Sequence, residues 1–190
     1  MKMINKKGFT LIELIATITV LGIIMLVAVP NITSMIDKSK RSAYINDAKK
    51  LVTLAKYKFE TSSNPKPDPT NCYIYTLNAL DQTELNDPPN GGSYVMEYSY
   101  VKIGYDYSAK EYTYKVQLVE KYKAGNDEYC QGVKQTEYKD LGKDNAKIMY
   151  VSDSTKFDQV RNNFSAYYSY MTECHNNVNK WRLILSFLLT

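Results

Sequence analysis

The feature that most constrains this chain is its start. From Phe9 to Ile36 run 28 residues in which Glu13 is the only charged one. As a helix, that run extends about 40 Å at 1.5 Å per residue, more than the ~30 Å of bilayer hydrocarbon. Lys6 and Lys7 stand just before it and a Lys-rich segment follows. A secretory signal has an apolar core of about 7–15 residues and then a small-x-small cleavage site; this run is longer and no such site follows. A plain anchor leaves Glu13 without a purpose, since a carboxylate costs roughly 2.5–3.5 kcal/mol near the bilayer centre and usually has a partner or a function there.

The order Lys6-Lys7-Gly8-Phe9-Thr10-Leu11-Ile12-Glu13, followed by the apolar helix, resembles the type IV pilin and pseudopilin family. The resemblance implies cleavage after Gly8 by a prepilin peptidase and methylation of the new N-terminal Phe9. In that family the glutamate is the fifth mature residue and the helix-disturbing proline the twenty-second; counted from Phe9, these are Glu13 and Pro30. The strict match covers residues 6–30. A looser leucine, proline and glycine-glycine pattern before the sheet, Asp87-Pro88-Pro89-Asn90-Gly91-Gly92, is similar to that of Gram-positive type IV pilins. The implied fold is α+β: a long N-terminal helix, half membrane and half amphipathic, packed on a small antiparallel sheet.

The resulting division is a leader at 1–8, a membrane and assembly half of the helix at 9–36, and an extracellular domain at 37–190 that includes the amphipathic helix half 37–62. The leader lysines keep the N-terminus on the cytoplasmic side. Three of the 24 basic residues, Lys2, Lys6 and Lys7, lie in the leader, leaving 21 against 20 acidic ones. That near-neutral balance argues against a nucleic-acid partner. The implied partners are other copies and related pilins in a helical filament, the peptidase, and a membrane assembly machinery. A single-span anchored binding domain that does not polymerise is the competing reading.

Within the helix, Gly22 and Pro30 are the weak positions, because glycine costs about 1 kcal/mol and a proline removes a hydrogen bond. Past Ile36, Ala48, Leu51, Val52, Ala55 and Phe59 recur at three- and four-residue steps, so helix is expected to about Thr61. Ser62-Ser63-Asn64-Pro65 marks its end. A short helix is expected over Thr76–Leu80. Tyr112, Tyr114, Val116 and Leu118 alternate with Thr113, Lys115 and Gln117, a strand with one buried and one wet face. The apolar face predicts packing against the helical stripe. Tyr94, Met96, Tyr98 and Tyr100 share a face before a bend near Tyr100, and a turn is expected at Ser108-Ala109-Lys110. Residues 121–146 read as mainly loops, Lys147–Val151 as a third strand, and Phe157, Val160, Phe164, Tyr167, Met171 and Cys174 as an amphipathic C-terminal helix. The apolar tail 181–190 is too short to span a bilayer.

Three cysteines, Cys72, Cys130 and Cys174, allow three pairings. Cys72–Cys130 is favoured because both flank the same sheet, with Cys174 as the alternative partner. Chemistry-bearing motifs are missing. His175 is the single histidine, there is no phosphate loop or nucleophile elbow, and Asn126, Asp127 and Glu128 are a poor calcium loop. The expectation is a structural subunit without catalytic residues, cofactor or metal.

Overall fold

The computed structural model describes residues 9–67, 72–80, 85–143 and 155–170. The chain divides into two compact units, Met1–Ser39 and Lys40–Thr190. One helix, α1 (Leu11–Thr61), runs from the first into the second.

In the first unit the apolar part of α1 is exposed along its length, from Leu11 to Ile36. The helix continues unbroken through both Gly22 and Pro30. Proline has no N–H to give to the preceding turn, and neighbouring side chains serve nearby carbonyls: Asn31 Nδ2 donates to the Val27 oxygen at 3.0 Å and Thr33 Oγ1 to the Val29 oxygen at 3.0 Å.

In the second unit the helical stripe is buried as the spacing predicts, with Ala48, Leu51, Val52, Ala55 and Phe59 all inside, and Tyr44, which the expected stripe did not include, is buried one turn before it. The helix stops at the Ser-Ser-Asn-Pro signal, where Thr61 Oγ1 and Ser62 Oγ fold back to the carbonyls of Tyr57 and Lys58 at 2.8 and 2.7 Å. Those bonds satisfy oxygens that a helix end otherwise leaves without partners.

The sheet is antiparallel. Its strands are β1 (Tyr73–Thr76), β2 (Ser93–Tyr94), β3 (Tyr100–Asp106), β4 (Glu111–Ala124), β5 (Asp127–Glu137) and β6 (Thr155–Lys156), in the order β1-β3-β4-β5-β6 with β2 also pairing β4. The expected short helix is a 3₁₀ turn, Leu77–Ala79. The expected β3–β4 turn forms, with Lys110 at φ 56° and Asp106 Oδ1 accepting from the Ser108 and Ala109 amides at 2.8 and 3.1 Å.

Three expectations are corrected. Residues 121–137 are not loop: β4 and β5 form the longest hairpin among the described residues, joined by Gly125-Asn126. Gly125 takes φ 65°, the positive angle that the first position of a type II′ hairpin turn requires. The stretch from Tyr94 to Tyr100 is not one strand, because a 3₁₀ turn at Met96–Tyr98 interrupts it. The second face of β4 is not wet at Gln117, although Thr113 and Lys115 stay partly exposed. Gln117 is buried and donates to the carbonyls of Tyr98 and Ser165 at 2.9 and 2.7 Å.

The sheet therefore has two cores. One face carries Val101, Ile103, Val116, Leu118 and Val133 against α1, and Phe59 meets the rings of Tyr73 and Tyr112 at 5.2 and 5.6 Å. The other buries Tyr98, Val119 and Cys130 against Val160, Phe164 and Ala166. That second cover is a C-terminal short helix, but over the described part of the expected stripe it folds as 3₁₀ turns at Phe157–Asn162 and Tyr167–Tyr170 rather than one α-helix. Met171, Cys174, the expected strand Lys147–Val151 and the tail 181–190 lie outside the described residues.

Candidate assembly segment and a buried carboxylate network

The helix begins with a reciprocal cap. Glu13 accepts from the Thr10 amide and the Thr10 hydroxyl, both at 2.8 Å, and the Glu13 amide donates back to Thr10 Oγ1 at 3.3 Å. This is the Thr-x-x-Glu capping box, in which each side-chain oxygen accepts from the other residue's otherwise unserved backbone N–H. Glu13 thus has a local role that the sequence reading did not assign. Phe9 is exposed, and Gly8 lies outside the described residues. Behind the cap, an apolar stretch long enough to cross a membrane has none of its length buried.

The second unit holds two buried carboxylates that sequence reasoning missed. Glu120, on β4, is fully buried and accepts from the Asn90 and Gly92 amides at 3.1 and 2.9 Å, from Asn90 Nδ2 at 3.0 Å and from the Tyr44 hydroxyl. Asp47, on α1, is fully buried and accepts from the Tyr94 hydroxyl at 2.6 Å and Asn86 Nδ2 at 2.7 Å. Together they hold the loop 86–92 between helix and sheet. Burial, and then the bond to Asp47, push the Tyr94 hydroxyl well above the usual tyrosine range. The backbone must pass close here: a Cβ on Gly92 would stand 2.0 Å from the Lys121 carbonyl oxygen.

Both carboxylates left a signal. Asp47 sits three residues after Tyr44 and four before Leu51, on the apolar stripe. Glu120 continues the period-two series Val116, Leu118, so it points to the helix.

The cysteines correct the favoured pairing. Cys72 is disulfide-bonded, but Cys130 is not its partner and carries a buried thiol. Cys72 precedes β1, and β5 lies three strands across the sheet. At about 4.8 Å per strand that is roughly 14 Å, twice the ~7 Å beyond which a disulfide cannot close. Burial pushes the Cys130 thiol up to about 11, so it is protonated and inert at neutral pH. Non-reducing peptide mapping is expected to find Cys72 in a disulfide, and Cys130 alkylated only after unfolding. A Cys72–Cys130 peptide would contradict this. The alternative partner, Cys174, lies outside the described residues.

The Asn126–Glu128 segment is a hairpin turn and strand start. Asp127 pairs with Lys156 at 3.5 Å and Glu128 with Lys121 at 2.7 Å, so both carboxylates bridge strands.

A long helix, apolar and exposed in its first part and packed in its second on a small antiparallel sheet, defines a pilin-like α+β architecture. Residues 3–29 match the family model described as the prokaryotic N-terminal methylation motif, which is characteristic of type IV pilins and pseudopilins. No curated protein and no solved structure matches the chain.

Proposed function

We propose that the chain is a prepilin: a structural subunit, not an enzyme, that is cut between Gly8 and Phe9, methylated at Phe9 and polymerised through its apolar helix. Its partners are a prepilin peptidase, other pilin subunits and a membrane assembly machinery. Before assembly it spans the membrane once, with the leader inside and residues 37–190 outside. Afterwards it lies in an extracellular pilus or pseudopilus.

The observation that carries the reading is the exposed apolar run directly behind the methylation motif. Large apolar side chains from Leu11 to Ile36 are more than two-fifths exposed, far more contiguous apolar surface than a soluble monomer keeps in water. Lipid covers it in the precursor, and the helices of neighbouring subunits cover it in a filament. Glu13 supplies what bare apolar contact lacks, a polar group that sets axial register. The capping box is compatible with this, because the Thr10 amide survives a cut before Phe9. Gly22 and Pro30 give the same helix two positions at which it can stretch on leaving lipid.

Processing tests the reading directly. Gly8→Val is expected to leave the leader on, since the peptidase must admit a backbone without a side chain at the cut. Mass spectrometry of the membrane fraction reads the result. A Gly8→Val protein that still begins at Phe9 contradicts the motif assignment.

A further inference from the structure

Lys40, half-buried on α1, donates from Nζ to Asn90 Oδ1 at 2.7 Å, across 50 positions of sequence. The other end of the same amide faces three acceptors. Asn90 Nδ2 lies 2.7 Å from Gln131 Oε1, 2.9 Å from the Tyr44 hydroxyl oxygen and 3.0 Å from Glu120 Oε2. Tyr44 and Glu120 are fully buried and hydrogen-bonded to each other. This surrounding fixes the amide's orientation, because the reverse assignment would set the Lys40 donor against an NH₂.

A primary amine, a carboxamide and a buried carboxylate thus stand in line. With a C=O bond of about 1.23 Å, Asn90 Cγ is within roughly 3.9 Å of Lys40 Nζ. We propose that this site makes an intramolecular isopeptide bond between Lys40 and Asn90, with Glu120 carrying the protons.

The step balances without a cofactor. The Nζ–Cγ bond forms and the Cγ–Nδ2 bond breaks. The Lys40 ammonium gives up two protons on becoming an amide nitrogen, and departing Nδ2 takes up two and leaves as an ammonium ion. Half-exposed Lys40 releases its two to water, and Glu120, 3.0 Å from Nδ2, passes two taken from water to the departing nitrogen, with the Tyr44 hydroxyl beside it, and ends as it began. Holding the three groups together converts a slow bimolecular reaction into an intramolecular one, and the carboxylate acts as general acid at the departing nitrogen.

Two features of the structure single out this pair. Asn90 precedes Gly91, a sequence in which the glycine amide nitrogen ordinarily attacks the side chain. Here the Gly91 N–H is held by the Pro88 carbonyl at 2.9 Å, so that competing attack is restrained. A second constellation has the same order of groups: Lys50 Nζ donates to Asn86 Oδ1 at 3.1 Å, and Asn86 Nδ2 to Asp47 Oδ1 at 2.7 Å. There both the lysine and the asparagine are exposed, and water keeps the ammonium solvated. The reaction is therefore assigned to Lys40 and Asn90 alone, and the outer pair is its internal reference. The link would tie α1 covalently to the loop before β2, whether or not the chain polymerises.

The test is peptide mapping of the exported full-length protein after reduction, alkylation and digestion. The peptides containing Lys40 and Asn90 are expected as one branched species, about 17 Da lighter than their sum through loss of one ammonia. The Lys50 and Asn86 peptides are expected separate. Lys40→Arg keeps the charge and removes the nucleophile, and Glu120→Gln keeps the shape and removes the proton carrier. Both are expected to lose the branched peptide. Separate Lys40 and Asn90 peptides as the main species of the unsubstituted protein would overturn the proposal, as would Asn90 recovered as aspartate. A branched peptide persisting at full yield in Glu120→Gln would overturn the role of Glu120.

Discussion

The Glu13→Ala protein is expected to be made, inserted and cut after Gly8, yet to be depleted from sheared filaments by about 100-fold. Two roles meet at this residue, and magnitudes separate them. As the capping-box acid, Glu13 serves the Thr10 amide and hydroxyl at 2.8 Å, an arrangement worth about 1 kcal/mol. As the register group we propose, its carboxylate would meet the α-amino group that cleavage would create on Phe9 of an incoming subunit. Both groups are then in a low-dielectric layer, and removing one partner of such a pair costs about 3–5 kcal/mol, because the other charge remains. Loss of the cap alone would weaken the first turn and leave assembly nearly intact.

Glu13→Gln distinguishes the two roles. Glutamine completes a capping box as well as glutamate does, but it carries no charge. The register account predicts that Glu13→Gln is excluded from filaments as strongly as Glu13→Ala. Filament yield restored by glutamine would reduce Glu13 to a helix cap.

The second large effect is expected at Glu120. In a soluble form starting at Asp37, Glu120→Ala should cost about 3–5 kcal/mol. The change strands the Asn90 and Gly92 backbone amides and the Tyr44 hydroxyl together, and leaves a cavity beside Gln131. For a domain of this size that corresponds to roughly 10 °C in Tm. Thermal unfolding followed by circular dichroism measures it. A loss under about 1 kcal/mol would mean that water serves those donors without help, and that the loop 86–92 is not held by Glu120.

The first thirty residues were legible because two independent constraints coincide there. An apolar run long enough for lipid has a single charge, and Glu13 and Pro30 fall at fixed distances from Phe9. The stripe Ala48 to Phe59 and the packing of Val116 and Leu118 on it were legible because helix and strand periods are the strongest local signals, whereas Tyr112, expected on the same buried face, is exposed. The same periods contained the buried network, since Asp47 lies on the stripe and Glu120 on the inward register, but the usual rule that carboxylates face water hid both. What rescues them is pairing with Tyr94, Asn86, Tyr44 and Asn90, brought together across up to 76 positions, which no local window contains.

The β4–β5 hairpin was missed for another reason. Its outer residues, Lys121 to Ala124 and Asp127 to Tyr129, run toward solvent beyond the core and so look like loop. The Gly125-Asn126 pair between them was the usable signal. The buried second face of β4 depended on residues 157–166. Their three- and four-residue spacing imitates an α-helix, yet here it folds as short 3₁₀ turns.

Processing of this chain as a prepilin is read from the mass of its N-terminal peptide in the membrane and sheared fractions. The expected peptide begins at Phe9 and carries one methyl group on its amine. A peptide that retains Met1 through Gly8, or begins at Phe9 without the methyl group, would contradict it.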